Sequence, residues 1–118
     1  MSPTVLGALL GGTGVAMGAI GAHPIKDRVS AEALGWWQTG VLYQLVHALL
    51  LIAAGSLLSA HARGGLITAS VGFGVLIFSG TLYAMTLGGP RWLGAVTPLG
   101  GTLLIAGWLG LAWIARSR

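Results

Sequence analysis

Four long runs without a single charged residue constrain this chain more than anything else in it. They cover residues 3–22, 36–58, 66–87 and 93–115, and all eight charged side chains fall outside them. Each run is close to the roughly 20 residues that a helix needs to cross about 30 Å of hydrocarbon. Soluble domains carry roughly a quarter of their residues charged, whereas here the share is 7% against 55% apolar. Six basic and two acidic side chains cannot cover a water-facing surface. The reading is an all-α integral membrane protein: one domain, a four-transmembrane-helix bundle with short loops. The first run has no basic residue before it, and its apolar stretch is longer than the 7–15 residues of a cleaved signal. It is therefore read as a retained span.

The links are HPIKDRVSAEALG, SAHARGG and GGPRW, too short for a soluble domain. In the first, Pro24 should stop the first helix because it lacks an N–H. Ser30 is placed to cap the next helix, with Glu32 favoured in its first turn by the dipole. Residues 31–35 then form an interfacial prelude. Trp36, Trp37 and Trp92 suggest an aromatic belt on one membrane face, with Trp113 on the other. An even number of spans puts both termini on one side. Lys26, Arg28 and Arg91 lie on one face and Arg63, Arg116 and Arg118 on the other, so the positive-inside count is tied. His61 and the terminal amine tilt the termini towards the cytoplasm.

A net charge of +4 does not point to nucleic acid, because the basic residues are scattered in ones and twos with no stripe to neutralise phosphates. The absence of cysteine excludes disulfides, iron–sulfur clusters and a thiolate nucleophile. The glycine-rich GTGVAMG, residues 12–18, is not a nucleotide loop, since the next long element is another membrane run and not part of a βαβ unit.

In lipid, close packing and polar contacts must bring helices together. Gly7, Gly11, Gly14, Gly18 and Gly21 alternate in steps of four and three, which lays one glycine seam along the first helix in a left-handed crossing pattern. It predicts tight packing within the bundle or between copies. Gly80, Ala84 and Gly88 suggest the same in the third run, and Gly100, Gly107 and Gly110 in the fourth.

Polar residues inside the runs are the candidates for a site. Thr39, Tyr43 and His47 succeed one another at steps of four on one face of the second helix, with Gln44 beside them. His47 lies roughly 16 Å below Trp36, near the bilayer centre. There an ionisable residue is a functional hypothesis with a partner inside the bundle. The partners expected are Ser79, Thr81, Tyr83 and Thr97, the last beside Pro98. A neutral imidazole clip, a ligand or proton site, and metal or haem ligation are the competing readings. Metal is disfavoured because His23 and His61 sit at other depths, and no cofactor is called. The only carboxylates, Asp27 and Glu32, are in the first link and are expected to pair with Lys26 and Arg28 or to cap the helix.

The blocks GAIGAHPIKDRVSAEAL, WWQTGVLYQLVHALLL, FSGTLYAMTL and LGAVTPLGGTLLIAGW, in this order, resemble the YgdD-like family of small inner-membrane proteins, which includes the transmembrane protein 256-like proteins. The resemblance covers about residues 5 to 113. It implies a four-helix multi-pass protein of the inner (plasma) membrane with no assigned activity. Its motif weights Gly21, Ala22, His23, Lys26 and Glu32, then Thr39, Gly40, Tyr43, Gln44 and His47. Further on it weights Ser79, Gly80, Tyr83, Thr97, Pro98, Gly100 and Gly101. Pro24 and Leu42 depart from it.

Three functions compete. The first is a non-enzymatic bundle acting in the lipid bilayer as a homo-oligomer or as a small partner of a larger membrane complex. The second is a binding or transport module for a lipid, small solute or proton, built around His47. The third is a membrane-surface lipid enzyme at His23, Lys26 and Glu32.

Overall fold

The computed structural model describes residues 1–116, all of whose regular structure is helical. Arg118, which the sequence placed on one membrane face, lies outside the described residues. Helix α1 is Pro3–Ile20, and a π turn, Gly21–Ile25, continues it. Then come α2, Ala31–Ala53, the short α3, Gly55–Ala60, α4, Gly64–Thr86, and α5, Leu93–Ala115. Among the described residues three helical stretches are long and apolar enough to cross a membrane: Pro3–Ile25, Gly64–Thr86 and Leu93–Ala115. Helix α2 matches them in length but carries Glu32, Gln38, Gln44 and His47. By length and composition the count is therefore three, where four was expected.

Local chemistry explains most boundaries. Ser2 and Ser30 cap α1 and α2, their hydroxyls accepting the N–H of Val5 at 3.0 Å and of Ala33 at 3.1 Å. Pro24 does not end the first helix as expected. Its missing N–H and its ring are accommodated by widening the last turn, so helical backbone reaches Ile25. Residues 31–35 belong to α2 itself. The second run breaks at Ala54, where the next residue, Gly55, packs on Thr4; a Cβ there would sit 2.5 Å from the threonine hydroxyl. A Cβ on Gly64 would overlap the Leu58 carbonyl, which makes glycine obligatory at the turn into α4. Gly88, with φ of 100°, closes α4 in a Schellman motif. In it the Gly89 N–H reaches the Ala84 carbonyl at 2.8 Å and the Gly88 N–H that of Met85 at 3.1 Å.

Helices α2 and α4 form the centre; α1 flanks α2 and α5 flanks α4 in an elongated body of 48 × 26 × 20 Å. The larger apolar core joins Leu50, Leu51 and Leu58 to Ile67, Val71, Val75, Leu104 and Ile114. The glycine seam of α1 faces α2 within the same chain. Cβ atoms on Gly7 and Gly14 would lie 2.8 Å from the Ala48 carbonyl and 2.7 Å from Leu45 Cδ2. Gly11 and Gly18 keep looser contact with Ala48 and Val41. The α4–α5 interface is closer still: Gly100 lies against the Phe78 backbone, Gly107 against Val71 and Gly110 against Ile67. Gly80, expected in a matching stripe of α4, has open space beside it; the glycine of α4 that packs on α5 is Gly74.

The aromatic belt needs one correction. Trp37 is buried, its indole N–H donating to the Met17 carbonyl at 2.7 Å and its ring 4.6 Å from that of Tyr83. Room for it comes from Gly21, where a Cβ would fall 2.5 Å from the indole. Trp92 is exposed, and Trp36 lies 5.7 Å from the Arg91 guanidinium. Arg91 also pairs with Glu32 at 3.8 Å, so Glu32 does not pair with Lys26 or Arg28.

Candidate functional site

The polar residues of α2 point to two different neighbours. Gln44 turns towards α1 and α4 and is buried. Its amide nitrogen donates to the Leu10 carbonyl at 3.0 Å and to the Thr13 hydroxyl at 2.8 Å. Its carbonyl oxygen accepts from the Tyr83 hydroxyl at 2.7 Å. One side chain thereby links three helices. Close by, Ser79 donates to the Gly40 carbonyl at 2.7 Å. Gly40 permits this approach, since a Cβ there would meet the Tyr83 ring at 2.8 Å.

His47 turns towards α5. Its Nδ1 lies 2.6 Å from the Tyr43 carbonyl, and the Trp108 indole N–H donates to its Nε2 at 3.0 Å. A carbonyl only accepts and an indole N–H only donates. The two partners therefore require a neutral ring with the proton on Nδ1. Nitrogen NMR of histidine-labelled protein should show that tautomer; a proton on Nε2 would refute the assignment. Trp108→Phe, which removes the donor and keeps an aromatic ring, should cost about 0.6 kcal/mol, the mean for a hydrogen bond between membrane helices.

Of the remaining expected members only Tyr43 meets these networks, through its carbonyl and through a ring stacked 6.1 Å from that of His47. Thr39 and Tyr43 are both exposed, the Tyr43 ring stacked 4.3 Å from Phe78. Thr97 and Thr81 bond each other at 2.6 Å between α4 and α5, away from His47. None of Ser79, Thr81, Tyr83 and Thr97 is the hydrogen-bond partner expected for His47; Trp108 is. Thr13 and Trp108 are the participants that sequence reasoning missed. The signal for Trp108 was present, because an indole N–H deep in an apolar run needs an acceptor.

At the surface, His23, Lys26 and Glu32 are all exposed. Among the described residues the side chains of His23 and Lys26 make no hydrogen bond or ion pair, and Glu32 is turned to Arg91. The structure does not assemble them into a catalytic group. Among the described residues no cluster of metal-ligating side chains occurs, and every buried polar side-chain atom has a hydrogen-bond partner.

Comparison with known proteins matches residues 17–101 to the family described as "Protein of unknown function (DUF423)". The chain is 39% identical over 112 residues to a UPF0382 membrane protein of Staphylococcus saprophyticus, covering 91% of this chain and 90% of that one. It is 35% identical to the UPF0382 membrane protein YwdK of Bacillus subtilis, with 89% and 88% covered. Identity is also 35% to the UPF0382 inner membrane protein YgdD of Escherichia coli, with 88% and 81% covered. No solved structure matches. With such relatives and three apolar helices of crossing length, the molecule is a membrane protein.

Proposed function

The chain belongs to the DUF423 family, and from that premise we propose that it is a four-span, non-enzymatic protein of the inner membrane that works by association at its outer surface. The observation that carries this is the internal satisfaction of the buried polar groups. Gln44 is engaged by α1 and α4, and His47 by its own helix and by Trp108 of α5, so the polar cluster acts as a set of clips. What remains available for function is the apolar exterior, especially the outer faces of the flanking helices α1 and α5.

The fourth span is α2. Its 23 residues reach about 34 Å at 1.5 Å per residue. It lies between α1 and α4, each of crossing length, and is joined to them by short links, the second of which contains α3. Gln44 and His47, the polar groups deepest in it, are turned inward, while Glu32 and Gln38 lie near its N-terminal end, so composition understates its fitness for lipid. Four crossings place both termini on one side, and the tied basic count is weighed towards the cytoplasm by the N-terminal amine. Because the natural chain lacks cysteine, single cysteines report topology directly. Ala62→Cys should resist a membrane-impermeant maleimide in intact cells and Asp27→Cys should react. The reverse pattern would invert the orientation, and reaction of both would remove the fourth span.

Association is tested by purifying the protein in mild detergent and in nanodiscs and measuring particle mass after cross-linking in the native membrane. More than one copy per particle, or a stoichiometric co-purifying membrane protein, is expected. A solitary monomer in both media would refute the proposal. A transport module around His47 is less well supported, because the cavities on the α4–α5 face and beside α1 lie elsewhere. Proton or solute flux in liposomes that is lost in His47→Ala would restore it.

A further inference from the structure

The outer face of α4 and α5 carries an open groove of about 880 Å³. Its walls are Leu66, Phe73 and Ile77 of α4 with Leu103 and Ala106 of α5, and Arg63 and Trp113 stand at one end. A smaller cavity of 270 Å³ continues across Phe73 to α1. The one hydroxyl in the larger groove, that of Ser70, is committed to the Leu103 carbonyl at 2.7 Å, so the walls offer an occupant only apolar contact. From Arg63 to Ile77 the groove descends about 21 Å at 1.5 Å per residue. That depth corresponds to one leaflet, half of the roughly 40–45 Å of a bilayer with its headgroup regions.

The mouth has a definite charge. The guanidinium groups of Arg63 and Arg116 lie 6.0 and 4.7 Å from the centre of the Trp113 ring, and both arginines are exposed. The two acidic side chains of the sequence, Asp27 and Glu32, are in the link between α1 and α2 at the opposite end. No carboxylate side chain therefore neutralises these arginines. Arg116 also donates to the Trp113 carbonyl at 2.7 Å, which holds its guanidinium beside the indole. An apolar channel one leaflet deep, opening beside two guanidinium groups with no acidic side chain near them and an interfacial tryptophan, complements a lipid with an anionic headgroup. A helix from a second copy would cross both leaflets, whereas the walls of this groove end near the midplane.

From this complementarity we infer that the α4–α5 groove is a binding site for one anionic phospholipid. An acyl chain lies along Phe73 and Ala106, and the phosphate sits between Arg63 and Arg116. The site does not depend on the protein associating with anything else.

The test is native mass spectrometry of the purified full chain in mixed micelles containing equal phosphatidylglycerol and phosphatidylcholine. The wild type should retain phosphatidylglycerol at least about fivefold over phosphatidylcholine, the attraction of one basic residue to an anionic lipid surface. Arg63→Gln and Arg116→Gln should each lower that preference about fivefold, while Lys26→Gln at the other end leaves it unchanged. Ala106→Trp should fill the groove and reduce retention of both lipids. Leu66→Trp serves the same purpose if that variant does not fold. Equal retention of the two lipids by the wild type would overturn the site, as would a preference abolished by Lys26→Gln alone. If Ala106→Trp instead dissociates a dimer and leaves lipid retention unchanged, the groove is an interface between copies and the lipid site is refuted.

Discussion

Replacing Gly100 by leucine is expected to cost about 3 kcal/mol, the upper end of what overpacking a tight interior costs, whereas Gly101→Leu should stay within about 1 kcal/mol of the wild type. The two glycines are adjacent and identical in composition, yet they meet different neighbours. A Cβ on Gly100 would overlap the Phe78 backbone nitrogen and lie 2.8 Å from the Gly74 carbonyl. Backbone atoms of a packed helix cannot rotate aside, so α4 and α5 must separate along their whole contact. A Cβ on Gly101 would meet only the Phe78 ring, at 3.7 Å, which is ordinary contact. The same logic ranks the α1 seam. Gly7→Leu meets the Ala48 carbonyl and should resemble Gly100→Leu, whereas Gly14→Leu meets the movable end of Leu45 and should cost less. Gly12→Leu has open space and is the control. Unfolding by SDS in mixed micelles, monitored by tryptophan fluorescence, measures each difference. Equal stability of the Gly100 and Gly101 variants would mean that backbone approach does not hold this interface.

Much of this packing was legible in the sequence because the rule behind it is local. Uncharged runs predicted the helices, the alternating glycines of α1 predicted one contact face, and Ser30 predicted a cap. What sequence could not supply was the partner. The seam of α1 reads alike whether it meets α2 or another copy, and the small-residue stripe of Gly80, Ala84 and Gly88 has open space beside both glycines. Trp37 has the composition of an interfacial anchor and lies inside, since only the absence of a side chain at Gly21, across the helix pair, makes room for it. Pro24 ought to end a helix, but a widened turn is another way to accommodate a missing N–H.

The site divides on similar lines. Gln44 and His47 carry more hydrogen-bonding groups than their own helix can satisfy, so they had to turn inward, and they do. Threonine is different. Thr13, Thr68, Thr81, Thr86, Thr97 and Thr102 all donate to the carbonyl four residues earlier. A hydroxyl that can be satisfied on its own helix says little about which way it faces. Spacing alone therefore placed Thr39 in a cluster that it does not join.

Removing the Gln44 amide tests whether these clips hold the fold. Gln44→Leu keeps much of the side-chain volume and abolishes three interhelical bonds at once. The groups left behind are not equivalent. Thr13 retains the carbonyls of Leu9 and Leu10 for its hydroxyl, but the buried Tyr83 hydroxyl is stranded, because Gln44 supplies its hydrogen-bond acceptor. Leaving one buried polar group unsatisfied costs about 2 kcal/mol, whereas exchanging both partners for apolar groups of similar shape is nearly neutral. The expected result is thus non-additive: Gln44→Leu loses about 2 kcal/mol and Tyr83→Phe about 1 kcal/mol. The double variant Gln44→Leu/Tyr83→Phe should recover most of the loss and be more stable than Gln44→Leu alone. Thr13→Val should cost only about 0.6 kcal/mol, an average interhelical bond in a membrane. A double variant that loses the sum of the two single changes would show that Gln44 and Tyr83 contribute independently, and α2 would then be held to α4 by packing around Gly40 and Ser79.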